Sequence, residues 1–162
     1  DKDTGRVLWE RELEANPENM RSLYVRGLVY AYRGDFALAE DDFRRFTLWA
    51  PREWAGYNDL AWMLSKRGKH REAAEALAVA FHEVPDAEKI PWLWNALGVA
   101  QLNLGNHPGA AIAFKRAQER AGGLTEANWR AAYPGNNPAD AADGLAAFRD
   151  AIRENFRRAS EM

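Results

Sequence analysis

Three histidines, His70, His82 and His107, are the only imidazoles in the chain. Imidazole is the side chain best suited to proton transfer or metal ligation near neutral pH. His70 and His107 each stand two residues after a glycine, Gly68 and Gly105, in separate stretches of similar sequence. They read as equivalent turn histidines roughly one structural unit apart, so they cannot share a metal ion directly. The segment Asp1–Glu12 has acidic spacing suggestive of a calcium loop, but Gly5 removes a ligand position and Arg6 stands where the turn glycine is required. The same stretch faintly resembles a β-propeller strand repeat, and one instance cannot make a propeller. No Ser/His/Asp arrangement and no glycine-rich phosphate loop is present. The many carboxylates fall on helical stretches as solvated faces rather than as a catalytic pair. The arginines near the C-terminus alternate with Asp150, Glu154 and Glu161, which describes a salt-bridged face rather than a nucleic-acid surface. The sequence therefore assigns no catalytic residue, no cofactor-binding residue, no metal ligand and no cofactor.

Composition narrows the classes further. The chain has 162 residues, 47% of them apolar and 28% charged, enough for one domain with a real core. A net charge of −2 provides no global field to recruit nucleic acid or an anionic membrane. No apolar run approaches the length that spans a bilayer, so membrane insertion is not expected. The absence of cysteine removes disulfides and thiolate chemistry and leaves the compartment open. The first residue is Asp1 rather than Met, from which a piece of a longer or processed chain is expected.

What the sequence does repeat is a turn. "RGDFALAE", "RGKHREAA" and "LGNHPGAA" each place an alanine five residues after a glycine: Gly34 and Ala39, Gly68 and Ala73, Gly105 and Ala110. The glycine fits just past a helix, where left-handed geometry is cheapest without a Cβ. The alanine fits a helix contact, and Asp35 is placed to cap the helix that follows. Arg33-Gly34-Asp35 is then a hairpin turn rather than the exposed loop of a cell-attachment signal. Aligning 20–53, 54–87 and 91–124 brings further positions into register. Position four is Leu23, Tyr57 and Trp94; position eight is Gly27, Ala61 and Gly98. Position eleven is Tyr30, Leu64 and Gln101; position twenty-four is Phe43, Leu77 and Phe114. A period in the thirties points to a solenoid of helix pairs.

This pattern resembles the tetratricopeptide-repeat family. The resemblance covers about two-thirds of the chain directly and implies an all-α, right-handed solenoid of antiparallel helix pairs. Departures are Arg26 for Leu at position seven, Phe46 for a small residue at twenty-seven, Gly122 for Pro at thirty-two, and three residues inserted around Asp86–Lys89. The expected helices are 4–15, 18–33, 36–50, 53–67, 70–84, 90–104, 107–121, 125–133 and 140–159. Residues 1–17 read as the second half of a truncated repeat. Residues 125–162 read as a divergent fourth repeat or a cap, with Leu145, Phe148, Ile152 and Phe156 on one stripe. The whole chain, 1–162, reads as one domain.

In such a stack the first helices line the concave side, where positions two, five, nine and twelve form a stripe. The candidate partner-binding residues are Arg21, Tyr24 and Leu28 from the first repeat, Asn58 and Trp62 from the second, and Trp92, Asn95, Val99 and Leu102 from the third. Side-chain amides pair with a peptide backbone, and aromatic rings hold its side chains with little entropy loss. The expected function is a non-catalytic interaction module holding a peptide or partner helix. The alternative is a structural self-assembly or spacer module, with a homo-oligomer as its product. Family members that hold the terminal carboxylate of chaperone tails do so with basic and amide side chains at five positions. Here those positions are Tyr24, Leu28, Asp59, Trp92 and Ala96, so the clamp is absent.

Overall fold

The structure is a computed structural model and describes residues 18–132 and 141–161. The expected helix 4–15 lies outside them. The helices are α1 Glu18–Arg33, α2 Phe36–Trp49, α3 Trp54–Lys66, α4 His70–Glu83, α5 Pro91–Asn103, α6 His107–Gly122, α7 Glu126–Ala132 and α8 Ala141–Ser160. A short 3₁₀ turn, Ala87–Lys89, takes up the three-residue insertion. There is no strand among the described residues. Consecutive helices pack as hairpins, and α3 also touches α5 one repeat on. The result is a stack of antiparallel pairs, α1/α2, α3/α4 and α5/α6.

The repeated glycines close each hairpin. Gly34, Gly68 and Gly105 have φ of 83, 74 and 77°, and nothing stands within 4 Å of a Cβ built on any of them. Backbone conformation, not crowding, selects glycine there. The residue after each glycine donates its N–H to the carbonyl of position eleven: Asp35 to Tyr30 at 2.9 Å, Lys69 to Leu64 at 2.8 Å, Asn106 to Gln101 at 2.9 Å. This bond pattern satisfies carbonyls that a helix end otherwise leaves unpaired. Asp35 does not cap α2 through its side chain; only its backbone carbonyl is used, accepting from Ala39 at 3.0 Å. Asn106 is the side chain that caps, accepting from Gly109 N at 3.1 Å.

In the first and last pairs a glycine admits an aromatic. A Cβ at Gly98 would lie 2.5 Å from Phe114, and one at Gly27 would lie 2.9 Å from Phe43. Phe43, Leu77 and Phe114 are fully buried, as are Ala39, Ala73 and Ala110. The departures from the repeat pattern are compensated locally. Phe46 fills the space that Gly56 leaves empty, where a Cβ would come within 2.5 Å of its ring. Arg26 clamps the buried Asp42 with two hydrogen bonds, Nε to Oδ2 at 2.7 Å and Nη2 to Oδ1 at 2.5 Å. That fork-to-fork geometry is the strongest form of the pair.

α8 closes the stack. Phe148 and Ile152 lie against Ala117 and Ala121, while Phe156 and Ala159 lie against Phe114 and Ala110. As the α8 numbers rise the α6 numbers fall, so α8 runs antiparallel to α6 and parallel to α5. It occupies the place of a next first helix. Its outer arginines pair along the helix, Arg153 with Asp150 and Arg157 with Glu154 and Glu161. Arg149 does not face outward with them. It donates to the carbonyls of Ala121 at 3.0 Å and Leu124 at 2.7 Å, placing a cation at the negative end of α6.

Candidate functional site

The three first helices α1, α3 and α5 carry the stripe foreseen from position spacing. Its members differ in what surrounds them. Arg21 and Leu28 are exposed. Tyr24 is buried, its ring 5.6 Å from Phe43 and 5.0 Å from Phe46. Asn58 and Asn95, at the same position in successive repeats, are 2% and 6% exposed. Trp62 is half-buried against the core.

Trp92, Val99 and Leu102 are covered by the chain itself. Trp92 stacks on Trp54 at 4.9 Å, on Trp129 of α7 at 5.3 Å and on Phe148 of α8 at 5.4 Å. Val99 and Leu102 pack with Phe156 and Ala159. The physical reason is that α7 and α8 place their own aromatic and apolar side chains on the last repeat. The part of the stripe left open is Arg21 and Leu28 with the half-buried Trp62, and Asn95 lies buried beneath its α5 end. At its edge a pocket of about 720 Å³ opens, lined by Tyr24, Phe46, Trp54 and Ala55 with Ala131 and Ala132 of α7 across from them.

Two polar features mark this surface. Asn95 Oδ1 is buried and has no hydrogen-bond partner among the described residues. Asp59, beside Asn58, was not among the stripe positions; its signal in the sequence is a lone acid following the first of the two repeat asparagines. Tyr24 Oη donates to Asp59 Oδ2 at 2.6 Å, and Asn58 Nδ2 donates to Oδ1 at 3.1 Å. Burial pushes the Asp59 carboxyl up to about 6, against the lowering effect of these two hydrogen bonds. The buried carboxylate of Glu40 is treated differently by the fold. Burial raises it too, but hydrogen bonds from Lys69, Arg44 and Arg67 outweigh that and hold it below its ordinary value.

The histidines do not converge. His70 and His107 begin α4 and α6, and His82 is exposed beside Glu83. No group of three His, Asp or Glu side chains among the described residues could hold a metal ion. No helix among them is long and apolar enough to cross a membrane. The acidic stretch Asp1–Glu12 lies outside the described residues.

No protein-family model matches the chain, and no curated protein matches it. Solved structures do. The TPR2B domain of yeast Sti1, in its pHsp70 complex, is 17% identical with a TM-score of 0.66, covering 88% of this chain and 96% of that one. The Sgt2 TPR domain from Aspergillus fumigatus is 24% identical with a TM-score of 0.59, covering 88% and 83%. PcrH from Pseudomonas aeruginosa is 17% identical with a TM-score of 0.63, covering 85% and 94%. The helix pairs, their turns and these likenesses agree: the chain has the fold of a tetratricopeptide-repeat domain.

Proposed function

We propose that the chain is a non-catalytic protein-interaction module that holds an extended peptide or a partner helix along the concave stripe of α1, α3 and α5. The observation that carries this reading is Asn95. An amide oxygen buried without a partner costs about 1–3 kcal/mol, and a peptide N–H supplies the missing donor. Arg21, Tyr24, Leu28, Asn58 and Trp62 complete the surface, with Tyr24 and Asn58 as its floor. Residues 20–53, 54–87 and 91–124 act as three full repeats of one domain and 125–162 as a divergent fourth repeat or a cap; the truncated repeat expected over 1–17 lies outside the described residues.

Likenesses support the class of function. The Sti1 domain was solved as a pHsp70 complex, and PcrH in complex with the chaperone-binding region of PopD. The basic clamp for a terminal carboxylate is missing here, and Asp59 stands at one of its positions. An acidic tail with a free carboxylate is therefore not the partner, because a like charge on a partly buried carboxylate is repelled.

The structural self-assembly reading is favoured by a different surface. Leu48, Val79 and Ile112, on the second helices, are 79%, 49% and 63% exposed. Light scattering across a dilution series separates the two readings: a mass that stays monomeric excludes self-assembly through that face.

The test of the groove is a pull-down with the chain as bait, read by mass spectrometry, beside Leu28→Gln and Asn95→Ala baits of unchanged helical circular dichroism. A partner lost from both variants is the expected result. A partner retained by both places the contact elsewhere.

A further inference from the structure

Asp59 excludes an acidic tail in the interaction-module reading, and its charge can also do the converse. It is partly exposed, accepts hydrogen bonds from two neutral donors, and has no cation in salt-bridge contact among the described residues. Arg21, one turn before Tyr24 on α1, is exposed and makes no ion pair with Asp59, and the cations that do pair nearby pair with other acids. Arg26 is held by Asp42, and Arg44, Arg67 and Lys69 converge on Glu40. So the buried carboxylates Glu40 and Asp42 both have cations, and the half-buried Asp59 between α1 and α3 has none. A desolvated carboxylate without a counter-ion is costly unless one is supplied. The surface next to it suits a long cationic side chain. Trp62 lies three residues on from Asp59, on the same face of α3, and the exposed Leu28 lies one turn beyond Tyr24. A lysine or arginine stem lies on such apolar surface while its head reaches a carboxylate.

We propose that Asp59 anchors a lysine or arginine side chain of the bound peptide, making the groove selective for a basic partner segment. The inference rests on the interaction-module reading above. Tyr24 and Asn58 hold the carboxylate in place, and the incoming cation replaces the counter-ion that the fold withholds.

A random decapeptide phage library selected on the immobilised chain tests this. The expected result is a selected set with lysine or arginine at one fixed position. Synthetic peptides from that set should weaken about 10-fold or more on Asp59→Asn, and equally when the basic residue becomes norleucine, since removing one partner of a desolvated charge pair mainly raises dissociation. Thermal melting of Asp59→Asn confirms that the variant is folded. Peptides that lack a fixed basic position, or that bind Asp59→Asn as well as the parent, overturn the cation site. If those same peptides still lose affinity on Leu28→Gln, the groove reading stands without it. Failure to select any peptide, or peptides indifferent to Leu28→Gln as well, overturns both.

Discussion

Tyr24 and Asp59 tie two neighbouring repeats together: the phenol of one first helix donates to the carboxylate of the next at 2.6 Å. The bond is short because its acceptor is charged. It does not make the carboxylate comfortable. Burial outweighs it and the Asn58 bond, and the folded carboxyl binds its proton with a pKa of about 6 rather than 3.8.

The sign of the consequence follows. A group whose pKa is raised on folding contributes stability below its unfolded value, and that contribution is lost as pH rises through the folded value. Here the window runs from about 3.8 to about 6. Asp59→Asn keeps an oxygen for Tyr24 and carries no charge. It should melt above the parent at pH 7.5, by roughly 1–2 kcal/mol once solvent screening of a partly exposed group is allowed for. The gap should close near pH 4. Thermal melts across that range check it, and a gap independent of pH would show that the carboxylate is not strained by burial.

A second prediction concerns the close approach inside the last full hairpin. Glycine within a helix normally gains about 1 kcal/mol on replacement by alanine. At Gly98 the new Cβ would stand 2.5 Å from the Phe114 ring, and Phe114 is fully buried with no room to move. Overpacking of this kind costs about 1–3 kcal/mol, so Gly98→Ala should destabilise. Adding Phe114→Leu should recover part of the loss, because the alanine then has space. Gly122→Ala, with nothing within 4 Å of its Cβ, should be neutral or stabilising. Denaturant midpoints of the four proteins decide the matter. Equal effects at 98 and 122 would mean that helix propensity, not the Phe114 contact, sets the outcome.

These contrasts also mark what the sequence made legible. The turn glycines, the alanines behind them and the large buried residues Phe43, Leu77 and Phe114 recur at one spacing, so periodicity alone located them. The departures were visible as departures, but their compensation was not. Phe46 is accommodated by Gly56 in the next repeat, and Arg26 by Asp42 on the facing helix; neither pair shares a repeat position, so no alignment of the repeats connects them. Asn58 and Asn95 were legible as a repeated amide. The burial of Trp92 was not, because its covers, Trp129 and Phe148, belong to a segment outside the repeat. The side chain of Asp35 sits where a cap is expected yet makes no capping bond, whereas Asn106 at the equivalent place does.

The last prediction follows from that covering. Phe148 touches Trp92 at 5.4 Å and Trp129 at 5.0 Å, and Trp92 in turn stacks on Trp54 at 4.9 Å. The four rings come from α3, α5, α7 and α8, so the cluster binds the closing segment to the second and third repeats. Phe148→Ala removes a half-buried ring that bridges Trp92 and Trp129 and leaves a gap that the rigid indoles cannot fill. Truncation of a buried Phe costs about 3–5 kcal/mol, and partial exposure here brings the expected loss to roughly 2–3 kcal/mol. Tryptophan emission should shift to longer wavelength in the folded variant as water reaches Trp92 and Trp129. Phe148→Leu should restore most of the stability but little of the stacking, and so keep the shifted emission. All the contacts lie within one chain, so the melting temperature of both variants and the parent should not depend on protein concentration. A melting temperature that falls steeply on dilution, with a dimer mass in light scattering, would instead show that α8 exchanges between molecules.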